Sequence, residues 1–231
     1  MRNRSIIGLA LLVGAVLSLP TLSLAAEHAC EFKNPKPVFK SLSPEEEAAR
    51  TAKELGAPPK LSKDESQEIS KGEVVVRKLA ETGEARRYEA LAIIPAPPSE
   101  VMKFMKNFDG YVGVVPHLEK ITYSWDRNMA TIEQSLKIAW KDIWYRLNVL
   151  HFGDSVITWE FLCGDIKDTS GYYKFFPVAK GAQTLIVYHV YTDTGLPIPD
   201  FLVNLLTKSS MPDVIKAIRK AVRQQKAGGG K

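Results

Sequence analysis

The chain has 231 residues, with 31 Lys and Arg, 26 Asp and Glu and a formal net charge of +5. Such a small positive excess does not indicate a nucleic-acid-binding protein, so we expect no nucleic-acid partner. The length is sufficient for one domain with a hydrophobic core and a short appendage.

Residues 1–26 have the features of a secretory signal peptide. Arg2 and Arg4 precede an apolar run at 6–19, and the small residues Ala25 and Ala26 follow it. This run is too short to cross a bilayer comfortably, so we expect a cleaved leader and not an anchor. Cleavage removes two arginines and no acidic residue, which lowers the net charge to +3. The expected location is the periplasm or the exterior.

Residues 27–70 form a polar, charge-mixed N-terminal arm. Ser43, Pro44 and Glu46 predict the start of a short helix through a capping box and a first-turn proline. Ser62 and Glu65 repeat the capping pattern and predict a second, weaker helix.

The two cysteines, Cys30 in the arm and Cys163 in the later part of the chain, leave two possibilities open. Export to an oxidising compartment would allow a disulfide that ties the arm to the domain. Alternatively, Cys163 is a small buried residue at a strand end and Cys30 is unpaired.

A hairpin and a helix begin the main domain. Residues 74–79 and 86–94 predict two strands, and Ser99 predicts the cap of a helix with apolar residues at helical spacing. The segment 110–116 suits a loop or short helix, either as a lid or as an ordinary connection.

Six further strands and a long helix follow. The strands are predicted at 118–125, 130–140, 143–151, 156–163, 172–176 and 184–193. Turn residues separate them, which predicts a serial antiparallel meander. An apolar stripe from Phe201 to Val222 then predicts a long helix, kinked at Pro212, before a flexible tail at 228–231.

These elements define an α+β domain over 71–227, and the chain here resembles the START-like (SRPBCC) helix-grip superfamily, closest to its polyketide-cyclase and coenzyme Q-binding branch. The segments that carry the resemblance are 96–101 (APPSEV), 157–161 (ITWEF), 171–175 (GYYKF), 184–190 (TLIVYHV) and 197–202 (PIPDFL). The resemblance implies a curved antiparallel sheet wrapped around a long C-terminal helix. It also implies a cavity for lipids, sterols or quinone-like or polyketide-like molecules.

Strand alternation selects the side chains that would face this cavity, if Tyr188 points inward as the resemblance implies. The predicted ligand-binding residues are Trp140, Tyr145, Leu147, Trp159, Phe161, Tyr173, Phe175, Ile186 and Tyr188 on the sheet and Leu202, Leu206 and Ser209 on the helix. Some of these aromatic residues would instead pack in the core. The opposite face of the last strand carries Leu185, Val187, His189 and Tyr191, so we expect the arm or a partner protein to cover it.

No motif of a phosphate loop, nucleophile elbow or metal site occurs, so neither catalytic residues nor a cofactor are predicted. His117, His151 and His189 are dispersed, and Glu160 is expected to face solvent. The leading hypothesis is a carrier of a hydrophobic molecule. The alternatives are a cyclase-type or isomerase-type enzyme and a protein-interaction module with a filled core.

The basic residues of the last helix allow two interpretations. They are Lys216, Arg219, Lys220, Arg223 and Lys226. Either they contact anionic lipid head groups transiently, or they only complement the helix dipole.

Overall fold

An eight-stranded antiparallel sheet organises the described part of the chain, which in this computed structural model comprises residues 30, 39–82, 85–138, 141–195 and 210–228. The predicted leader lies outside these residues. So do four predicted ligand-binding residues, Trp140, Leu202, Leu206 and Ser209.

The strands follow one another as a meander that closes on an initial hairpin. They are β1 Val75–Thr82, β2 Ala85–Ile94, β3 Leu118–Asp126, β4 Met129–Ile138, β5 Lys141–Phe152, β6 Val156–Gly164, β7 Asp168–Val178 and β8 Gln183–Asp193. Their order in the sheet is β1-β2-β8-β7-β6-β5-β4-β3. Every strand from β3 to β8 therefore pairs with its neighbour in sequence, which confirms the predicted meander and hairpin.

Two capping boxes begin the helices of the arm. Helix α1 (Pro44–Leu55) begins after Ser43 and α2 (Lys63–Ser70) begins after Ser62, each with reciprocal hydrogen bonds to a glutamate three residues later. Both predicted helices are confirmed, because the side-chain oxygen of each serine satisfies a backbone N–H that the first turn leaves free.

Helix α3 (Pro98–Met105) begins two residues earlier than predicted. Its N-cap is Pro97, which makes no side-chain capping bond, so the assignment of Ser99 as the cap was wrong. Pro98 fits the first turn because its fixed φ is helical and its missing N–H would be unsatisfied there anyway. A 3-10 turn at Phe108–Gly110 and further turns up to residue 117 follow, and the segment 110–116 contains no strand.

The last helix, α4 (Ser210–Gly228), packs against the inner face of the sheet. Its buried residues Met211, Ile215, Ile218 and Val222 join the core with α3 and the inner side chains of the strands. Pro212 lies in the first described turn, and the predicted kink depends on residues 201–209, outside the described residues. No helix in the described part of the chain is both long and apolar enough to cross a membrane.

The arm covers part of the outer face of the sheet, as predicted for Leu185 and Val187. Leu185 and Val187 of β8 pack in an apolar cluster with Ile69 of α2, supported by Leu55 and Leu61. A second outer cluster, Leu150, Phe152 and Val156, packs against Phe39, Leu42 and Leu55. Burying these side chains removes an apolar surface that would otherwise meet water.

Polar contacts fix the position of the arm. Arg77 of β1 pairs with Glu65 of α2 at 2.6 Å and with Glu89 of β2 at 2.9 Å. Glu160 faces outward as predicted, but it is half-buried and accepts a hydrogen bond from the backbone N–H of Phe39. The expectation that Glu160 is solvated was therefore wrong, because the arm lies over it.

A disulfide joins Cys30 to Cys163, with their Cα atoms 5.4 Å apart. Cys163 reaches the outer face because of a register shift between β5 and β6, where Arg146 lies opposite Cys163 but Leu147 lies opposite Phe161. One extra residue in β6 reverses the alternation beyond Phe161. The disulfide settles the two possibilities left open by the sequence.

Candidate ligand-binding cavity

A cavity of about 340 Å³ lies between the inner face of the sheet, the segment after α3, and α4. This volume falls in the range of small-molecule sites, about 300–1,000 Å³. Its sheet wall includes Ile132, Gln134, Leu136, Ile143, Tyr145, Leu147, Val149, His151, Ile157, Trp159, Tyr173, Tyr188 and Val190. The other wall includes Phe104, Phe108, Tyr111, Val115, Met211, Val214 and Ile218.

Strand alternation explains which side chains reach the cavity. On β4 and β5, Gln134 lies opposite Tyr145 and Ile132 lies opposite Leu147, so both pairs share the inner face. Val149 lies in turn opposite Trp159 of β6. The wall is largely apolar because these inner positions are mostly aliphatic or aromatic.

Of the predicted ligand-binding residues, the structure places five in the cavity wall: Tyr145, Leu147, Trp159, Tyr173 and Tyr188. Phe175 and Ile186 face inward but are completely buried in the core and do not line the cavity. They lie opposite each other near the end of the sheet where α3 packs, so their side chains fill that end. Phe161 is half-buried against the core and is likewise not part of the wall.

Trp159 lies across a glycine of the neighbouring strand. Gly171 is opposite Trp159 in the register, and a Cβ atom at Gly171 would overlap the indole ring and the carbonyl oxygen of His189. The absence of a side chain therefore lets the indole lie flat along the wall. The ring centroid of Trp159 is 5.4 Å from that of Tyr173 and 6.1 Å from that of Tyr188.

The three tyrosines of the wall are buried phenols. The rings of Tyr173 and Tyr188 stack with their centroids 4.4 Å apart. Burial raises the pKa of all three phenols above the ordinary value of 10, so they are neutral at physiological pH.

His151 lines the cavity and was not among the predicted ligand-binding residues. It is 1% exposed, and neither ring nitrogen has a hydrogen-bond partner of normal geometry among the described residues. Burial, reinforced by the charge of Lys106, lowers the pKa of His151 from 6.5 to about 3 against the opposing effect of the Asn128 backbone, so the imidazole is neutral. The sequence could have indicated this position, because His151 is an even number of residues from Tyr145 on β5 and alternation therefore places both side chains on the same face.

The described wall of the cavity contains few groups that could take part in acid-base or metal chemistry. It contains Arg86, His117 and His151 but no Asp or Glu. No group of three or more His, Cys, Asp and Glu residues in the described ranges could hold a metal ion. The arrangement can enclose an apolar molecule and offer it neutral hydrogen-bonding groups.

Solved structures with this architecture come from several bacteria. The Zhui aromatase/cyclase of Streptomyces sp. R1128 superposes with a TM-score of 0.55 at 16% identity, over 63% of this chain and 98% of that one. A START superfamily protein of Mycobacterium smegmatis superposes with a TM-score of 0.53 at 15% identity, over 60% of this chain and 97% of that one. The TTHA0849 protein of Thermus thermophilus superposes with a TM-score of 0.52 at 17% identity, over 63% of this chain and 99% of that one.

No family model matches the sequence, and no curated protein matches it. At these identities the structural likeness shows the fold alone. The likeness and the sheet that encloses α4 agree with the fold that the sequence resemblance implied. The domain of this chain has the START-like helix-grip fold.

Proposed function

We propose that this protein binds or transfers a lipid or another hydrophobic small molecule, held between the sheet and α4. The observation that carries the proposal is a cavity with mainly apolar walls, neutral buried tyrosines and no carboxylate in its described part. Removing about 200 Å² of apolar ligand surface from water would contribute about 5 kcal/mol at 25 cal/mol per Å². Binding would therefore need no ion pair.

The fold supports this proposal. Among the proteins that share it, one is named as an aromatase/cyclase and another as a START superfamily protein. We favour binding over a cyclase-type or isomerase-type reaction because the described wall offers no acid-base pair that includes a carboxylate. A cavity lined by Trp159 and Tyr173 does not fit an interaction module with a filled core.

Export is the second part of the proposal, with the periplasm or the exterior as the location. Two observations support it. The first 26 residues have the composition of a cleaved leader. The Cys30–Cys163 disulfide would persist in an oxidising compartment but rarely in a reducing one.

A transient contact with membrane surfaces is the third part. The side chains of Lys216, Lys220 and Arg223 are exposed on α4, where they could lie against anionic head groups. Arg219 is unsuited to this role, because its guanidinium donates to the carbonyl oxygens of Ile93 and Gly72. The side chain of Lys226 lies outside the described residues.

Native mass spectrometry of protein purified from its own periplasm, followed by organic extraction, tests the proposal. Val190→Trp would fill part of the cavity, whereas Leu79→Trp adds the same side chain at a 48% exposed position of β1 and serves as the control. We expect wild type and Leu79→Trp to carry a hydrophobic molecule in near one-to-one amount and Val190→Trp to carry much less. An apo mass that lipid extract does not change would contradict the proposal.

A further inference from the structure

One end of the cavity contains a polar side chain that no described residue satisfies with a hydrogen bond of normal geometry. His151 lies opposite Ile157, and both of its ring nitrogens are buried without such a partner. Its neighbours are aromatic: the ring centroid of Trp125 is 5.0 Å away and that of Phe108 is 6.4 Å away. Aromatic faces satisfy an N–H group only weakly, so the imidazole lacks the hydrogen bonds it would make in water.

No described polar side chain of the sheet wall supplies the missing partner. Tyr145 lies six positions away on β5, about 20 Å along the strand. Tyr173 is nearer, since it lies two strands away in the same row, opposite Ile157.

The chemistry of this end favours a neutral partner. A neutral imidazole has one N–H donor and one acceptor nitrogen, which match a hydroxyl group or, through the donor, a carbonyl group. A carboxylate would need a buried counter-charge to offset its loss of hydration. Lys106 is the cation near enough to lower the pKa of His151, but its side chain is exposed.

We infer that the part of the cavity beside His151 binds the uncharged polar group, a hydroxyl or a carbonyl, of an amphipathic ligand, and that His151 hydrogen-bonds to it. The inference rests on the proposed function and specifies its ligand class: a molecule with an apolar body and a neutral oxygen at one end. Leaving a buried polar group unpaired is costly, so a ligand that supplies the missing partner is favoured over one that does not.

Three ligands that differ in one group test this inference: 4-heptylphenol, heptylbenzene and 4-heptylbenzoate. Their affinities are measured by calorimetry for the oxidised, leaderless protein. We expect wild type to bind the phenol about fivefold or more tightly than heptylbenzene, and the benzoate more weakly than the phenol. His151→Leu should abolish the preference for the phenol while still binding heptylbenzene, which shows that the cavity is intact.

Two further variants separate the role of His151 from general effects. His151→Gln keeps a donor and an acceptor and should restore part of the preference. His189→Leu removes a histidine from the outer face of β8 and should keep the full preference. An unchanged preference in His151→Leu, or a benzoate that binds best, would overturn the inference while leaving the proposed function intact. If none of the three ligands binds to wild type, both proposals fail.

Discussion

Acid should destabilise this protein through His151. The folded state holds this imidazole neutral, because burial lowers its pKa from 6.5 to about 3. The unfolded chain binds a proton at His151 once the pH falls below 6.5, whereas the folded protein does not until the pH approaches 3. The contribution of the neutral imidazole to stability is therefore fully present above pH 6.5 and is lost as the pH falls toward 3.

The size of the effect follows from the two pKa values. Between pH 7 and pH 5 the unfolded state gains about 2 kcal/mol from protonation of this histidine, and the folded state gains almost nothing. Over the whole interval down to pH 3 the difference grows to about 4 kcal/mol. His189 shifts in the same direction, because burial also lowers its pKa, but it is present in every protein compared below.

Urea unfolding of wild type and His151→Gln at pH 7 and pH 5 measures the effect. Wild type should lose about 2 kcal/mol more than the variant over this interval, which moves the urea midpoint by about 1 M. His117→Asn is the control, since it removes an exposed histidine at a positive φ that asparagine tolerates. Equal losses in wild type and His151→Gln would refute the reasoning.

Three other substitutions test the core, the disulfide and the arm by urea unfolding. Phe175→Ala should cost about 3–5 kcal/mol, because Phe175 is completely buried, and a loss below about 1 kcal/mol would contradict its place in the core. Cys163→Ser removes a cross-link between residues 133 positions apart and should lower stability by up to about 5 kcal/mol, because the unfolded state gains chain entropy. The urea midpoint of this variant should not respond to reductant. A midpoint that still falls when reductant is added would argue against the Cys30 pairing. Arg77→Met leaves Glu89 unpaired and should cost about 2 kcal/mol. It should also speed amide hydrogen exchange in α2, and unchanged exchange there would mean that the apolar contacts alone hold the helix.

Much of the local structure was predictable from short-range patterns. The capping boxes at Ser43 and Ser62 identified the starts of two helices, since a cap depends only on residues within one turn. The boundary of α3 was missed by two residues, because Pro97 can precede a helix without a side-chain cap. Strand alternation correctly assigned Tyr145, Leu147, Trp159, Tyr173 and Tyr188 to the inner face.

The sequence by itself determined the strands, the arm helices and which side chains of a strand share a face, because periodicity and capping are local properties of the chain. The choice of the inward face came from the family resemblance. Only the tertiary structure decided how far the core extends along each strand. Phe175 and Tyr173 lie on the same face of β7, so the alternation of side chains could not distinguish them. Phe175 is buried with the help of α3, whereas Tyr173 lines the cavity. Nor could alternation show that β6 gains a residue near Cys163, that the arm covers Glu160, or that His151 has no partner of normal geometry. These features depend on contacts between residues far apart in sequence, which packing alone brings together.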